Sequence, residues 1–302
     1  MSDGSGWRAR SSLVFVEVNP QTVAGGTGIL VSAPVWLNNG SNAISCLSPA
    51  KARRYEQRLA KCFRRRLTRE EKIMASDVAV IAGAGQGLSA SLARLLAKEG
   101  FRVVLAARNT GKLAPLVGET GALAVETDVA DPASVASLFD AADKVGSLAL
   151  AVFNASGRTR GPIAELDPDA VKQALLVGAY GGFLVGQQAA RRLLARGSGS
   201  ILFTGATASL KGFPGSAGFA MPKFGLRGLA QSMARELSPK NIHVAHFIID
   251  GAIQPPGQAE EPDRPDRRLS PDAIAETYLG THRQHRSAWS FEVELRPWVE
   301  TF

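Results

Sequence analysis

Cysteine is nearly absent from this chain of 302 residues: there are two, Cys46 and Cys62, both within the first 73 positions. The remaining 229 residues can therefore hold neither a disulfide framework nor a cysteine-based metal site, and no metal centre is expected. Long apolar runs are missing too. The longest stretch in the first 73 residues, near Gly28 to Trp36, is far too short to cross a bilayer, and the chain does not open on the basic start and apolar run of a secretory signal. A cytoplasmic protein without a membrane partner is expected. Tyrosine is scarce as well, with only Tyr55, Tyr180 and Tyr278.

Charge divides the chain unevenly. Of 35 Lys and Arg and 27 Asp and Glu, residues 1–73 hold 12 and 5, which leaves a nearly neutral 23 and 22 for the rest. The basicity thus belongs to the extension, and the compact part gives no reason to expect a nucleic-acid partner. The extension has no sustained helical or alternating period and mixes Gly/Ser/Pro/Asn stretches with the basic run Lys61 to Arg69, so it is read as poorly structured. An organelle transit segment fits less well, because the basic part lies well inside the chain. Met74 begins the regular segment, and Glu70-Glu71-Lys72 requires purine-rich codons of the kind found in a bacterial ribosome-binding site. Residues 1–73 are therefore expected to be an over-called start, and residues 74–302 a single domain.

From Val78 onward, short apolar runs alternate with segments of helical spacing. The runs are Asp77 to Ala82, Arg102 to Ala107, Ala122 to Thr127, Ser147 to Phe153, Ser200 to Thr204 and Ile242 to Ile249. Strands alternating with helices imply a doubly wound α/β domain: a parallel sheet with helices on both faces. Asp131-Pro132, Asp167-Pro168 and Ser270-Pro271 each place an N-cap residue before a proline suited to the first helical position. Trp289, Phe291, Val293 and Leu295 alternate with polar residues and predict a closing strand.

After the first strand comes Gly83-Ala84-Gly85-Gln86-Gly87-Leu88-Ser89, followed by a helix ending near Gly100. Glycines in this position let backbone approach a pyrophosphate, whose charge meets the helix N-terminus. At the end of the second strand, where NAD-selective folds place an acid for the ribose 2′-hydroxyl, stand Ala107 and Arg108. A guanidinium suits a 2′-phosphate, so NADP(H) is expected in preference to NAD(H); a solvated surface arginine is the alternative.

These features resemble the short-chain dehydrogenase/reductase family, whose loop reads Thr-Gly-x-x-x-Gly-x-Gly. Gly83 and Gly87 match, while Ala82 and Ser89 depart from it. The resemblance implies a Rossmann-type fold with cofactor contacts from Gly83, Gly85, Gln86, Gly87, Leu88 and Arg108. It adds Asp128 and Val129 after the third strand and Asn154 and Ala155 after the fourth. It also adds Gly251, in Asp250-Gly251 where the family usually has Pro-Gly. In the family a Tyr acts as general acid/base, a Lys four residues later lowers its pKa and holds the nicotinamide ribose, a Ser polarises the carbonyl, and an Asn orders a relay water. This chain matches those positions with Phe219, Lys223, Ala206 and Gly178, so Lys223 alone remains; a shift of one would bring Thr207 to the Ser position. The resemblance is to an atypical subgroup with Phe for Tyr.

The residues thus imply an NADP(H)-dependent oxidoreductase of a small organic substrate, with Lys223, Phe219 and Thr207 as the catalytic candidates. The alternative is a catalytically silent dinucleotide-binding sensor or assembly subunit. The segments 170–196 and 219–238 resemble the helices that form the family's oligomer interface, which implies a homodimer or homotetramer. Gly178, Gly181, Gly182 and Gly186 in the first of them are expected to admit another backbone or the cofactor; a helix broken near Gly181-Gly182 is the alternative. The Pro/Gly/charge-rich segment 250–268 reads as a mobile lid.

Overall fold

The computed structural model describes residues 76–300; the extension and its proposed boundary lie outside them. Seven parallel strands form one sheet in the order β3-β2-β1-β4-β5-β6-β7. They are β1 (Asp77–Ala82), β2 (Arg102–Ala107), β3 (Leu123–Glu126), β4 (Ser147–Phe153), β5 (Gly199–Thr204), β6 (Ile242–Ile249) and β7 (Glu292–Leu295). The last is shorter than the alternation from Trp289 suggested: the Trp289 ring instead stacks on His243 at 4.7 Å, ahead of the strand.

Strand alternation divides the core in two. Val78, Val80 and Ala82 of β1 face one layer, while Ala79 and Ile81 face the other. The first layer is built from α3 (Pro132–Asp143), α5 (Gly181–Arg196) and α6 (Ala217–Leu237), through Phe139, Val185, Leu193 and Leu226. Against the other face lie α1 (Leu88–Lys98), α2 (Ala114–Thr120) and α7 (Pro271–His282), through Leu92, Leu96, Leu116, Ile274 and Tyr278. The short helix α4 (Pro168–Leu175) leads through a π-helical turn, Leu176–Tyr180, into α5. All three expected Pro-led helix starts occur. Asp131 accepts from the amides of Ala133 and Ser134, Asp167 from those of Asp169 and Ala170, and Ser270 from that of Ala273.

The glycines of the α4–α5 segment meet close neighbours within the chain. A Cβ on Gly178 would lie 2.7 Å from Pro222 Cβ, one on Gly181 3.0 Å from the Val129 carbonyl oxygen, and one on Gly186 3.0 Å from Met233 Sδ; on Gly182 it would run into Leu226 Cδ1. Each glycine is thus accounted for by α6 or the loop after β3 of the same chain. The helix runs on through Gly181-Gly182.

Candidate active site

Parallel strands deliver their C-terminal ends to one edge, and the order β3-β2-β1-β4 places the point where the strand order reverses between β1 and β4. The glycine loop lies there. Gly83 has φ +92°, and a Cβ on it would fall within 2.5 Å of Ala155 Cα, so only glycine lets these two turns meet. The Gly83 and Ala84 amides donate to the Ala106 carbonyl at 3.0 and 2.8 Å. Ser89, the departure from the glycine pattern, acquires a role: its hydroxyl donates to the Gly83 carbonyl at 2.9 Å and accepts from Asn154 Nδ2 at 2.7 Å. The loop is therefore pinned from two sides, while the space beside Gly85 and Gly87 stays open.

A cavity of about 850 Å³ extends from this loop along Ala107, Arg108, Asp128, Val129, Asn154, Ala155 and Ser156. The sequence-predicted residues Gly83, Gly85, Gln86, Arg108, Asp128, Val129, Asn154 and Ala155 all border it. Gly87 borders an adjoining cavity of about 480 Å³, covered by Gln254 to Gln258. Leu88 is buried in the helix layer, so its side chain supports the loop from below. Lys112 was missed in the sequence; it sits in a 3-10 turn, Thr110–Leu113, after β2 and borders both cavities, giving Arg108 a second cation.

A second large cavity, about 860 Å³, shares Ser156 with the first. It collects Ala206, Thr207, Phe219, Lys223, Asp250 and Gly251 with Arg158 and Arg160. Gly251, also expected to contact the cofactor, borders this second cavity; its φ of +152° and the Pro297 ring, 2.7 Å from where a Cβ would sit, account for the glycine. Lys223 follows Phe219 by one turn of α6, is 5% exposed and donates to the Thr204 carbonyl at 2.7 Å. Burial pushes its ammonium down to a pKa of about 8. Thr207 donates to Asp250, whose carboxylate is paired with Arg296 at 2.8 Å. Its hydroxyl proton is thus already engaged, leaving oxygen lone pairs for the cavity. Gly178 lies under Pro222 without room for a side chain, so an Asn would not fit there.

No described tyrosine borders this cavity. Tyr278 is fully buried beneath the site, stacked on Phe247 and hydrogen bonded to the Thr204 hydroxyl at 2.9 Å, with burial raising its pKa well above the usual phenol range. Tyr180 is 40% exposed, borders neither cavity and stacks with Phe183. His246 is a further group that sequence reading missed. It is wholly buried under Gly205, where any Cβ would strike the ring, and desolvation lowers its pKa to about 4.

Among the described residues no helix is long and apolar enough to cross a membrane, and no cluster of His, Cys, Asp and Glu could hold a metal ion. The family model described as short chain dehydrogenase matches residues 77–264. Trans-4-hydroxycyclohexanecarboxylate dehydrogenase of Sinomonas cyclohexanicum is 32% identical over 202 residues, 63% of this chain and 77% of the relative. L-2,3-butanediol dehydrogenase of Corynebacterium glutamicum is 30% identical over 213 residues, 67% of this chain and 81% of its own length. A crystal structure of a short-chain dehydrogenase from Rhodopseudomonas palustris is 41% identical, superposes with a TM-score of 0.65, and is covered over 99% of its length by 74% of this chain. With its sheet order, glycine loop and buried lysine in place, the chain belongs to the short-chain dehydrogenase/reductase family of oxidoreductases.

Proposed function

We propose that this protein is an NADP(H)-dependent oxidoreductase of a small organic substrate, working from an incomplete catalytic tetrad in the subgroup that carries Phe for the active Tyr. The observation that carries the reading is the pairing of a glycine cradle fit for a pyrophosphate with two cations, Arg108 and Lys112, on the cavity wall beyond β2. Gly83, Gly85, Gln86, Gly87, Asp128 and Asn154 would hold the dinucleotide, with Arg108 and Lys112 toward a 2′-phosphate. When bound, the cofactor supplies a hydride.

The chain's own residues decide which proton transfers can accompany it. Lys223, close enough to shed its proton near pH 8, anchors the ribose side and keeps a positive field beside Phe219. Phe219 cannot give or take a proton, and Ala206 cannot polarise a carbonyl. General acid catalysis contributes roughly 10² to 10⁴ in rate, so simple ketones should turn over slowly. Substrates that bring their own acid, or that accept the hydride on an activated alkene, avoid that loss. The missing phenol also favours a second reading, a silent dinucleotide-binding sensor or assembly subunit. A turnover panel separates the two. Binding is tested by titrating NADPH and NADH: a preference of about tenfold for NADPH, abolished by Arg108→Ala, is expected, and equal affinities would refute the reading of Arg108.

A cytoplasmic homodimer or homotetramer belongs to the same proposal. Support comes from the apolar surface left by helices 170–196 and 219–238, where Tyr180, Phe183, Leu194 and Phe224 are each 40–45% exposed.

A further inference from the structure

Immediately after Asn154-Ala155 the chain runs Ser156-Gly157-Arg158-Thr159-Arg160-Gly161 with no regular hydrogen-bonded structure, yet every second residue is fixed. Gly157 lies against α4, where a Cβ would approach Ala174 Cα to 2.6 Å. The Thr159 methyl occupies the space that a Cβ on Gly218 of α6 would need. The Gly161 amide donates to the Gly215 carbonyl at 2.9 Å. With residues 157, 159 and 161 held against the body, the alternation turns 156, 158 and 160 outward. Ser156, Arg158 and Arg160 are the members of this run that border the substrate-side cavity.

Both guanidiniums converge on one ring. Arg158 and Arg160 place their central carbons 5.7 and 5.8 Å from the centre of Phe219, and Lys223 Nζ stands 5.9 Å from it. Cation–π attraction of this kind orders a guanidinium while leaving its N–H fork free. Neither arginine has a hydrogen bond or carboxylate partner among the described residues. Of the two acids on the cavity wall, Asp250 is held by Arg296, which leaves exposed Glu300 against three cations.

We infer that Arg158 and Arg160 form an oxyanion-binding arm that holds a carboxylate or phosphate group of the substrate over Phe219. This rests on the oxidoreductase reading of the same site and gives its substrate a chemical class. Paired arginine forks recognise such groups in a way a neutral wall does not. The arm lies at the substrate side of Ser156, away from the cations beyond β2, so it serves the substrate rather than the cofactor.

The test is calorimetric titration of the full chain, with and without saturating NADPH. The probes are acetate, benzoate and cyclohexanecarboxylate, each paired with its primary amide, and inorganic phosphate. At least one oxyanion is expected to bind about tenfold more tightly than the neutral probes, more weakly as salt is raised. Arg158→Gln/Arg160→Gln should remove that preference, whereas Arg286→Gln, at the opposite end of the strands, should keep it. Carboxylate or phosphate in the lead tells which source the arm takes. No oxyanion preference in the parent, or a preference that survives the double substitution, overturns the inference. So does a matching loss of NADPH affinity in the double variant, which would assign the arm to the cofactor. Failure of NADPH to bind the parent sinks the functional reading instead, and the titrations without cofactor still judge the arm.

Discussion

The two halves of the cleft differ in what they retain. On the side of β1, β2 and β4, the glycine cradle is pinned by Ser89 and Asn154 and flanked by cations. On the side of β5, β6 and α6, Lys223 is buried at the cavity, and on the reading proposed above Phe219, Ala206 and Gly178 take the positions of the family's proton-handling groups. Binding a dinucleotide needs backbone shape and fixed charge, whereas carbonyl chemistry needs specific hydroxyls. Substitution can therefore remove the second while the packing that supports the first stays intact.

The contrast is broken most severely at Gly83. Gly83→Ala forces a Cβ onto Ala155 at φ +92°, combining overpacking with left-handed strain of about 3 kcal/mol together. NADPH affinity should fall about 100-fold. Binding that survives unchanged would show that the cradle is not the cofactor site.

Acid pH probes the other half. His246 is held neutral, its folded pKa near 4 against about 6.5 when unfolded, chiefly by burial and also by the nearby Lys223 and Arg227 charges, against the opposing pull of Glu292. Its stabilising contribution is present above pH 6.5 and is lost as pH falls through 4, up to about 3 kcal/mol. His246→Gln should reduce the loss of stability between those values in denaturant melts, with the part due to buried His282, also near 4, remaining. An unchanged slope would move the acid sensitivity elsewhere.

Gly182→Leu would push a branched side chain into Leu226 and Phe153, costing roughly 1 to 3 kcal/mol of stability. Because that contact is within one chain, the melting temperature should fall while light scattering reports an unchanged subunit number. Dissociation without destabilisation would return the glycine to an interface. Arg108→Ala has a smaller effect, about 1.4 kcal/mol, read as loss of the NADPH preference while NADH binding is kept.

Most of the architecture was legible in the sequence, because a buried parallel sheet writes each strand as an apolar run and three of the helix starts carry a cap followed by a proline. Six strands fell close to their expected limits; the seventh lost Trp289, whose stacking on His243 is a tertiary event that no local period records. The glycine loop between β1 and α1 was legible for the same local reason. What escaped was set by contacts between distant segments. Lys112 reaches the cavity only through the geometry of the loop after β2, and His246 reads as one member of an apolar strand until Gly205 is found packed on its ring. The glycines of α5 pointed to close approach, but not to which helix approached. Arg158 and Arg160 did leave a trace, the alternating Gly-Arg-Thr-Arg-Gly, which becomes meaningful once Gly157 and Thr159 are seen clamped.

The difference between the halves is tested most directly by NADPH-dependent turnover of a ketone and aldehyde panel with the parent and with Phe219→Tyr, alongside NADPH affinity for each. A new phenol at this ring would stand among Arg158, Arg160 and Lys223, which favour its ionised form. With Ala206 and Gly178 still in place, only part of the acid catalysis should return. The account predicts a slow parent, a gain of about tenfold in kcat for the variant, and equal NADPH affinities. A parent that reduces ketones at ordinary rates, or a variant that gains nothing while binding NADPH normally, would contradict it.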